Sequence, residues 1–308
     1  MKALRDAFGD EIVQLGKEDK SIYIVDCDIG KSCKTTAFRD AYPQQYVNVG
    51  IAEQNAAGMA AGLATCGKQP FVCTYAAFGS MRMSEQIRQE ICYPKLNVKI
   101  ACSHGGFTPA NDGASHQSVE DYGILRTLPN MTVIVPCDYH STRKLVRQAA
   151  AMNGPAYLRF TRDPVPFVYE EDDGDFQIGK ARCLREGTDL CIIAAGAVMS
   201  LVQQACQMLE EQGISVRLLD MHTIKPLDRE AVLAAIEQTG RIITVEDHNI
   251  LNGLGSAVCE VAAEAGKGVV KRMGIQDQFG ESGPYYDLLQ KNGVTSQAIV
   301  AQALEILK

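Results

Sequence analysis

A single carboxylate, Glu53, stands in the segment NVGIAEQNAAGMAAGLATCG among Ala, Gly, Met and amide side chains. The pattern predicts a strand ending near Val49, a tight turn at Gly50, and a helix with Glu53 in its first turn. An acid there has a structural explanation, because the helix macrodipole favours negative charge at its N-terminus by about 0.3–1 kcal/mol. It also has a chemical one. The carboxyl end of a parallel strand is where α/β sheets place ligands, and no sequence neighbour supplies a compensating charge. Desolvation favours the neutral form of a carboxyl group, which would suit Glu53 to share a proton with a nitrogen base. Gly58 and Gly62 each cost this helix about 1 kcal/mol relative to Ala, so close approach of another backbone is expected there.

Three other groups could join it. In FVCTYAAFGSMRMSEQIRQEICYP, Tyr75 and Phe78 precede a helix expected from Met81, as core aromatics or as the walls of a ring-binding pocket. Arg82, at that helix start, is expected to pair with Glu85 or Asp121. The segment IACSHGGFTPANDGASHQSVEDYG carries His104, Asp112 and His116 in a long loop with Gly105, Gly106, Pro109 and Gly113, and such loops in compact domains are usually functional. The spacing H-x7-D-x3-H matches no recognised ligand pattern, so no metal site is expected. Ser32 in DCDIGKS and Arg162 in LRFTRDP read as solvated surface groups from position alone, although arginine suits bidentate anion binding.

The chain has 308 residues, more than one hydrophobic core usually holds, which favours two domains. Short β-rich runs alternate with helical patterns, among them SIYIVDCDI, QPFVCTY, NVKIACS and MTVIVP. That alternation implies parallel βα units in a doubly wound α/β layer. The Pro-punctuated, acidic stretch from Asp163 to Gly179 carries six carboxylates and no helical period, and reads as a linker. The expected organisation is a first domain over 1–165, a linker over 166–180 and a smaller α/β domain over 181–308, in which IKPLD is a turn.

With 46% hydrophobic and 22% charged residues the chain is globular. A net charge of −7, with 30 basic side chains scattered among 37 acidic ones, argues against nucleic-acid partners. Leu4, Phe8, Ile12 and Leu15 space an amphipathic N-terminal helix; no secretory signal is apparent and no run is long enough to span a membrane. The eleven cysteines form no CxxC pair and suit reduced thiols in a cytoplasm.

VGIAEQNAAGMAAGLA resembles the glutamate motif of the transketolase family, and the resemblance extends over essentially all 308 residues. It implies a thiamine-diphosphate pyrimidine-binding domain followed by a transketolase C-terminal domain. In that family the glutamate, here Glu53, hydrogen-bonds N1′ of the cofactor aminopyrimidine, and the cofactor brings the carbanion chemistry. The resemblance further implies that Tyr75 and Phe78 hold the pyrimidine ring, and that Asp28 and Ile29 lie near the thiazolium. His104 and His116 would contact the donor carbonyl and hydroxyls and relay protons, Asp112 would recognise a sugar hydroxyl, and Ser32 and Arg162 would hold the sugar phosphate. Arg82 also fits the family pattern. Asn111 stands where family members carry an acid, which leaves the donor or acceptor preference open. IKPLD and VEDHNILNGLGSAV resemble the family's C-terminal domain, where His248 is expected as an interface or core contact.

The family's diphosphate half, a Gly-Asp-Gly with a later Asn holding Mg²⁺, is missing; the nearest string is DDGDF, Asp172 to Phe176, inside the linker. The expectation is therefore the C-terminal subunit of a split transketolase. It would transfer a two-carbon ketol unit from a ketose phosphate to an aldose, with a separate subunit holding Mg²⁺ and the diphosphate, in a symmetric heterotetramer. Alternatives are a sulfonated or branched donor, deoxyxylulose-phosphate synthesis, a 2-oxo-acid dehydrogenase of the β-subunit type, and a noncatalytic scaffold.

Overall fold

The structure, a computed structural model, describes residues 1–174 and 176–308; Asp175, one of the six acids of the linker stretch and part of the DDGDF string, lies outside them. The first domain contributes strands β1 (Ile22–Asp26), β2 (Tyr46–Asn48), β3 (Gln69–Tyr75), β4 (Lys99–Ser103), β5 (Thr132–Ile134) and β6 (Ala156–Arg159). The second contributes β7 (Arg182–Arg185), β8 (Leu190–Ala195), β9 (Val216–Asp220), β10 (Thr223–Lys225), β11 (Arg241–Asn249) and β12 (Val269–Ile275). Every residue of β4, β6 and β8 is buried, as expected of parallel strands covered by helices on both faces. The helix Leu4–Glu18 lays Leu4, Phe8, Ile12 and Leu15 on one such face.

The first sheet runs β10-β5-β6-β4-β3-β1-β2 and the second β12-β11-β8-β9-β7. Pairing is parallel except at β10–β5 and β7–β9. Winding reverses at β1, which has β2 on one side and β3 on the other. The crevice beyond the carboxyl ends of such strands is where α/β sheets bind ligands.

The two domains share more than a linker. IKPLD is not simply a turn: Thr223–Lys225 forms β10, which leaves the second domain and pairs with β5 at the edge of the first sheet. Beside it the Val135 amide donates to His222 O at 2.8 Å. A buried ionic network also crosses the interface. Arg159, 5% exposed, donates through Nε to Asp121 Oδ2 at 2.9 Å and through Nη2 to Ser118 O and Asp247 O at 3.0 and 2.8 Å. Tyr122 donates to Glu246 Oε2 at 2.7 Å, and Glu246 also accepts the Leu254 and Gly255 amides that open the helix Leu254–Ala265. His248 lies in this interface, stacked on Tyr122 at 3.9 Å and accepting the Gly123 amide.

The acidic connecting segment is tied down as well. Asp138 accepts the Val168 and Tyr169 amides, and Tyr169 donates its hydroxyl to Asp220 Oδ2 at 2.8 Å. Burial pushes the Asp220 carboxyl up from 3.8 to about 7. A carboxyl group whose folded pKa is raised stabilises fully below its unfolded value, and that contribution is lost as pH rises through about 7. Asp220→Asn, neutral at every pH, is therefore expected to stabilise the chain at pH 8 by about 0.5–2 kcal/mol and by less at pH 5. Urea denaturation at both pH values checks this; equal effects would disprove it. None of the eleven cysteines is disulfide-bonded, and only Cys66 and Cys183 are exposed. Among the described residues no helix is long and apolar enough to cross a membrane.

Candidate active site

The candidate residues follow strand ends. Asp28, Ile29 and Ser32 come after β1, Glu53 after β2, Phe78 after β3 and Arg162 after β6. Tyr75 is the last residue of β3, and His104 directly follows β4. Parallel strands thus deliver these side chains to one edge of the sheet.

Glu53 is the first residue of the helix Glu53–Thr65, with Ala52 before it and no side-chain cap. Ala56, Ala57 and Ala60 are fully buried behind it, which holds the helix start against the sheet. Glu53 itself is 3% exposed. It does not lack a compensating charge: Arg82 Nη1 lies 3.3 Å from Glu53 Oε2. Arg82 therefore pairs with neither Glu85 nor Asp121. A π-helical turn, Phe78–Arg82, starts earlier than the expected helix at Met81 and lays the guanidinium over the Phe78 ring at 4.5 Å.

Among the described residues no other backbone lies within 4 Å of a methyl group added at Gly58 or Gly62. A methyl group added at Gly62 would meet nothing within 4 Å, and one at Gly58 would meet only the Glu90 carboxylate. The neighbouring Ile51, Met59 and Met81 are exposed, Ile51 by 75%. An open apolar face therefore borders Glu53.

Four rings form the adjoining wall. Tyr75 lies 5.9 Å from Phe78, 4.0 Å from His104 and 5.9 Å from His116, and Phe78 lies 5.4 Å from His116. The loop from His104 to Ser118 is closed by paired hydrogen bonds between Gly106 and Ser118. Gly106 has φ +59°, and a Cβ there would strike the Asp247 carboxylate, so the second domain presses directly on this loop. Ser282 of that domain also donates to Asn111 O at 2.7 Å.

Burial, and then the positive charges of Arg5 and Arg162, push His104 down to about 3. It is neutral at ordinary pH. Its Nδ1 lies 2.7 Å from Ser103 Oγ, and His116 Nδ1 lies 3.0 Å from Ser115 Oγ. Asp112 pairs with Arg162 Nη1 at 3.3 Å, and Arg162 Nη1 also donates to Pro109 O at 2.6 Å. Asp28, at φ +65°, accepts from Asn48 Nδ2 at 2.9 Å, which ties it to β2 rather than to the ring cluster. Among the described residues no three His, Cys, Asp or Glu side chains converge as a metal site.

Sequence reasoning missed Arg5. It donates through Nη1 to Ser32 O at 3.1 Å and is the largest positive influence on His104, while its Nε is buried with no hydrogen-bond partner. One signal was available. A cation in the first turn of the helix Leu4–Glu18 opposes the macrodipole, which points to a role elsewhere.

Residues 1–167 match the family described as transketolase, pyrimidine binding domain, and residues 179–299 match the transketolase C-terminal domain. The chain belongs to the transketolase family, as its motifs led us to expect. A putative transketolase C-terminal section from Methanocaldococcus jannaschii is 42% identical over all of this chain and 97% of its own. An apulose-4-phosphate transketolase subunit from Phocaeicola vulgatus is 43% identical over 100% of this chain and 98% of its own. A solved structure described as a split gene transketolase, inactive beta4 tetramer, superimposes with a TM-score of 0.91 at 44% identity, covering 99% of this chain and 98% of that one.

Proposed function

We propose that the chain is the pyrimidine-binding, C-terminal subunit of a split transketolase. With a separate subunit holding the diphosphate and Mg²⁺, it transfers a two-carbon ketol unit from a ketose phosphate to an aldose. The observation that carries this reading is the convergence, at one sheet edge, of buried Glu53, the rings of Tyr75 and Phe78, and the Arg5–Arg162 pair of cations. One nearly buried carboxylate beside an aromatic wall fits an aminopyrimidine. No acidic cluster suited to a metal accompanies it among the described residues, so the reading assigns Mg²⁺ to the partner.

Bound thiamine diphosphate supplies a carbon nucleophile that no side chain can. The chain's own residues do the rest. Glu53 holds the proton shared with the pyrimidine ring nitrogen, while Tyr75 and Phe78 wall the ring and exclude water. Asp28 and Ile29 border the thiazolium. His104 and His116 hydrogen-bond the donor carbonyl and hydroxyls, with His116 the proton relay and Asp112 bound to a sugar hydroxyl. Ser32, Arg162 and Arg5 face the phosphate, where a charge-assisted hydrogen bond contributes about 1.5–3 kcal/mol. The open face at Gly62, Ile51, Met59 and Met81 supports burial against another chain. Self-association into a heterotetramer, in the cytoplasm, completes the reading. Asn111, together with the similarity to the apulose-4-phosphate transketolase relative, favours a second version in which the donor is a modified sugar.

The test is reconstitution. The chain alone and the chain mixed with a diphosphate-binding transketolase subunit are assayed for thiamine-diphosphate binding and for ketol transfer, over a panel of ketose donors with and without phosphate. Binding and transfer are expected only in the mixture, with phosphorylated donors preferred. Full activity of the chain alone would refute the reading.

A further inference from the structure

We propose that Ser103 is a positioning residue that fixes which nitrogen of His104 carries the proton, so that the ring offers an Nε2–H donor to substrate. The inference rests on the proposed role of His104 as a substrate contact and adds the state in which it acts.

The donors and acceptors around Ser103 Oγ decide the tautomer. Ser103 is 1% exposed at the end of β4, and its Oγ has two polar side-chain neighbours, His104 Nδ1 at 2.7 Å and Cys33 Sγ at 3.3 Å. Burial pushes the Cys33 thiol up to about 12, so it keeps its proton. That single proton goes to Thr74 O, 3.7 Å away, or to Ser103 Oγ. In either case the Ser103 hydroxyl can donate to His104 Nδ1, a good sp² acceptor. The opposite tautomer, with Nδ1–H donating to Ser103, would leave the serine proton, among the described residues, only the thiol sulfur, a weak acceptor. The network therefore favours O–H···Nδ1 and puts the imidazole proton on Nε2, because the hydrogen bond at one ring nitrogen decides the state of the other.

The backbone and a neighbouring ring hold the imidazole in place. His104 has φ +64°, a conformation few non-glycine residues adopt. The ring is held against Tyr75 at 4.0 Å, and Nε2 has no hydrogen bond among the described residues. A ring fixed on one edge by serine and on one face by tyrosine leaves its other nitrogen for an incoming oxygen. Because Nδ1 already accepts from Ser103, and burial with the two arginines lowers the basicity of the ring, its contribution is a fixed donor rather than a general base. His116 also has a serine at Nδ1, Ser115 Oγ at 3.0 Å, but that serine is exposed and free to turn to water, so the His116 tautomer is not held in the same way.

The test reads the tautomer directly. Nitrogen-15 correlation spectra of the chain, labelled at histidine, distinguish Nε2–H from Nδ1–H, and resonance assignment uses His104→Gln. The wild-type chain and Ser103→Thr are expected to show Nε2–H at His104, and Ser103→Ala a mixture of the two. Cys33→Ala, which removes the competing sulfur acceptor, is expected to keep Nε2–H. In the reconstituted pair, Ser103→Ala is expected to lower kcat/KM about tenfold, roughly one neutral hydrogen bond, with recovery in Ser103→Thr. Nδ1–H in the wild-type chain, or an unchanged tautomer in Ser103→Ala, would overturn the inference. The spectra need no turnover, so absence of ketol transfer by the wild-type pair would instead count against the proposed function.

Discussion

Glu53→Gln is expected to lower ketol transfer by the reconstituted pair about 10²- to 10⁴-fold, the range for a positioned acid–base group, while leaving assembly intact. The substitution keeps the shape of a side chain that is only 3% exposed and removes its ability to hold a shared proton. Arg82 loses a charged partner, but it is half exposed, and ion pairs open to solvent contribute about 0–1 kcal/mol. A glutamine carbonyl can still accept from it. Sedimentation of the mixture checks assembly, and initial rates check turnover. Normal turnover by the variant would remove Glu53 from the chemistry.

Arg159→Met is expected to cost about 3–5 kcal/mol of folding stability, the usual penalty for breaking a buried ion pair. Methionine matches much of the arginine stem but leaves Asp121 in the interface without its cation and strands the carbonyls of Ser118 and Asp247. Burial already pushes the Asp247 carboxyl up to about 7, with Arg159 the leading influence against that rise. Chemical denaturation checks the loss. An Asp121→Asn, Arg159→Met double variant is expected to recover part of it, because the stranded charge is then gone. A single variant as stable as the wild type would show that the network contributes nothing.

Much of the site is legible in the sequence because parallel strands end in short motifs, and each motif is local. The turn at Gly50 and the helix start at Glu53 lie close together along the chain, as do Tyr75 and Phe78. Pairing between motifs is not legible in this way. Arg82 reaches Glu53 across 29 positions, whereas local spacing offers Glu85 and leaves the carboxylate without a cation. Arg5 reaches Ser32 from a helix that the sequence marks only by its apolar face. The glycines of the Glu53 helix suggest room for another backbone, and the described residues supply none at Gly62. Glycine spacing marks a close approach without saying whose backbone makes it.

From sequence the second domain is a neighbour across a linker, because IKPLD looks like a turn and three residues of edge strand carry no periodic signal. In the structure those residues complete the first sheet. A protein divided at the acidic segment would therefore yield two faulty pieces: a sheet with the raw edge of β5 exposed, open to wrong pairing, and a remainder with a strand and nothing to pair it with. A simple cut cannot separate the two domains, and any exchange of this region between proteins has to carry both of them as a single heritable block.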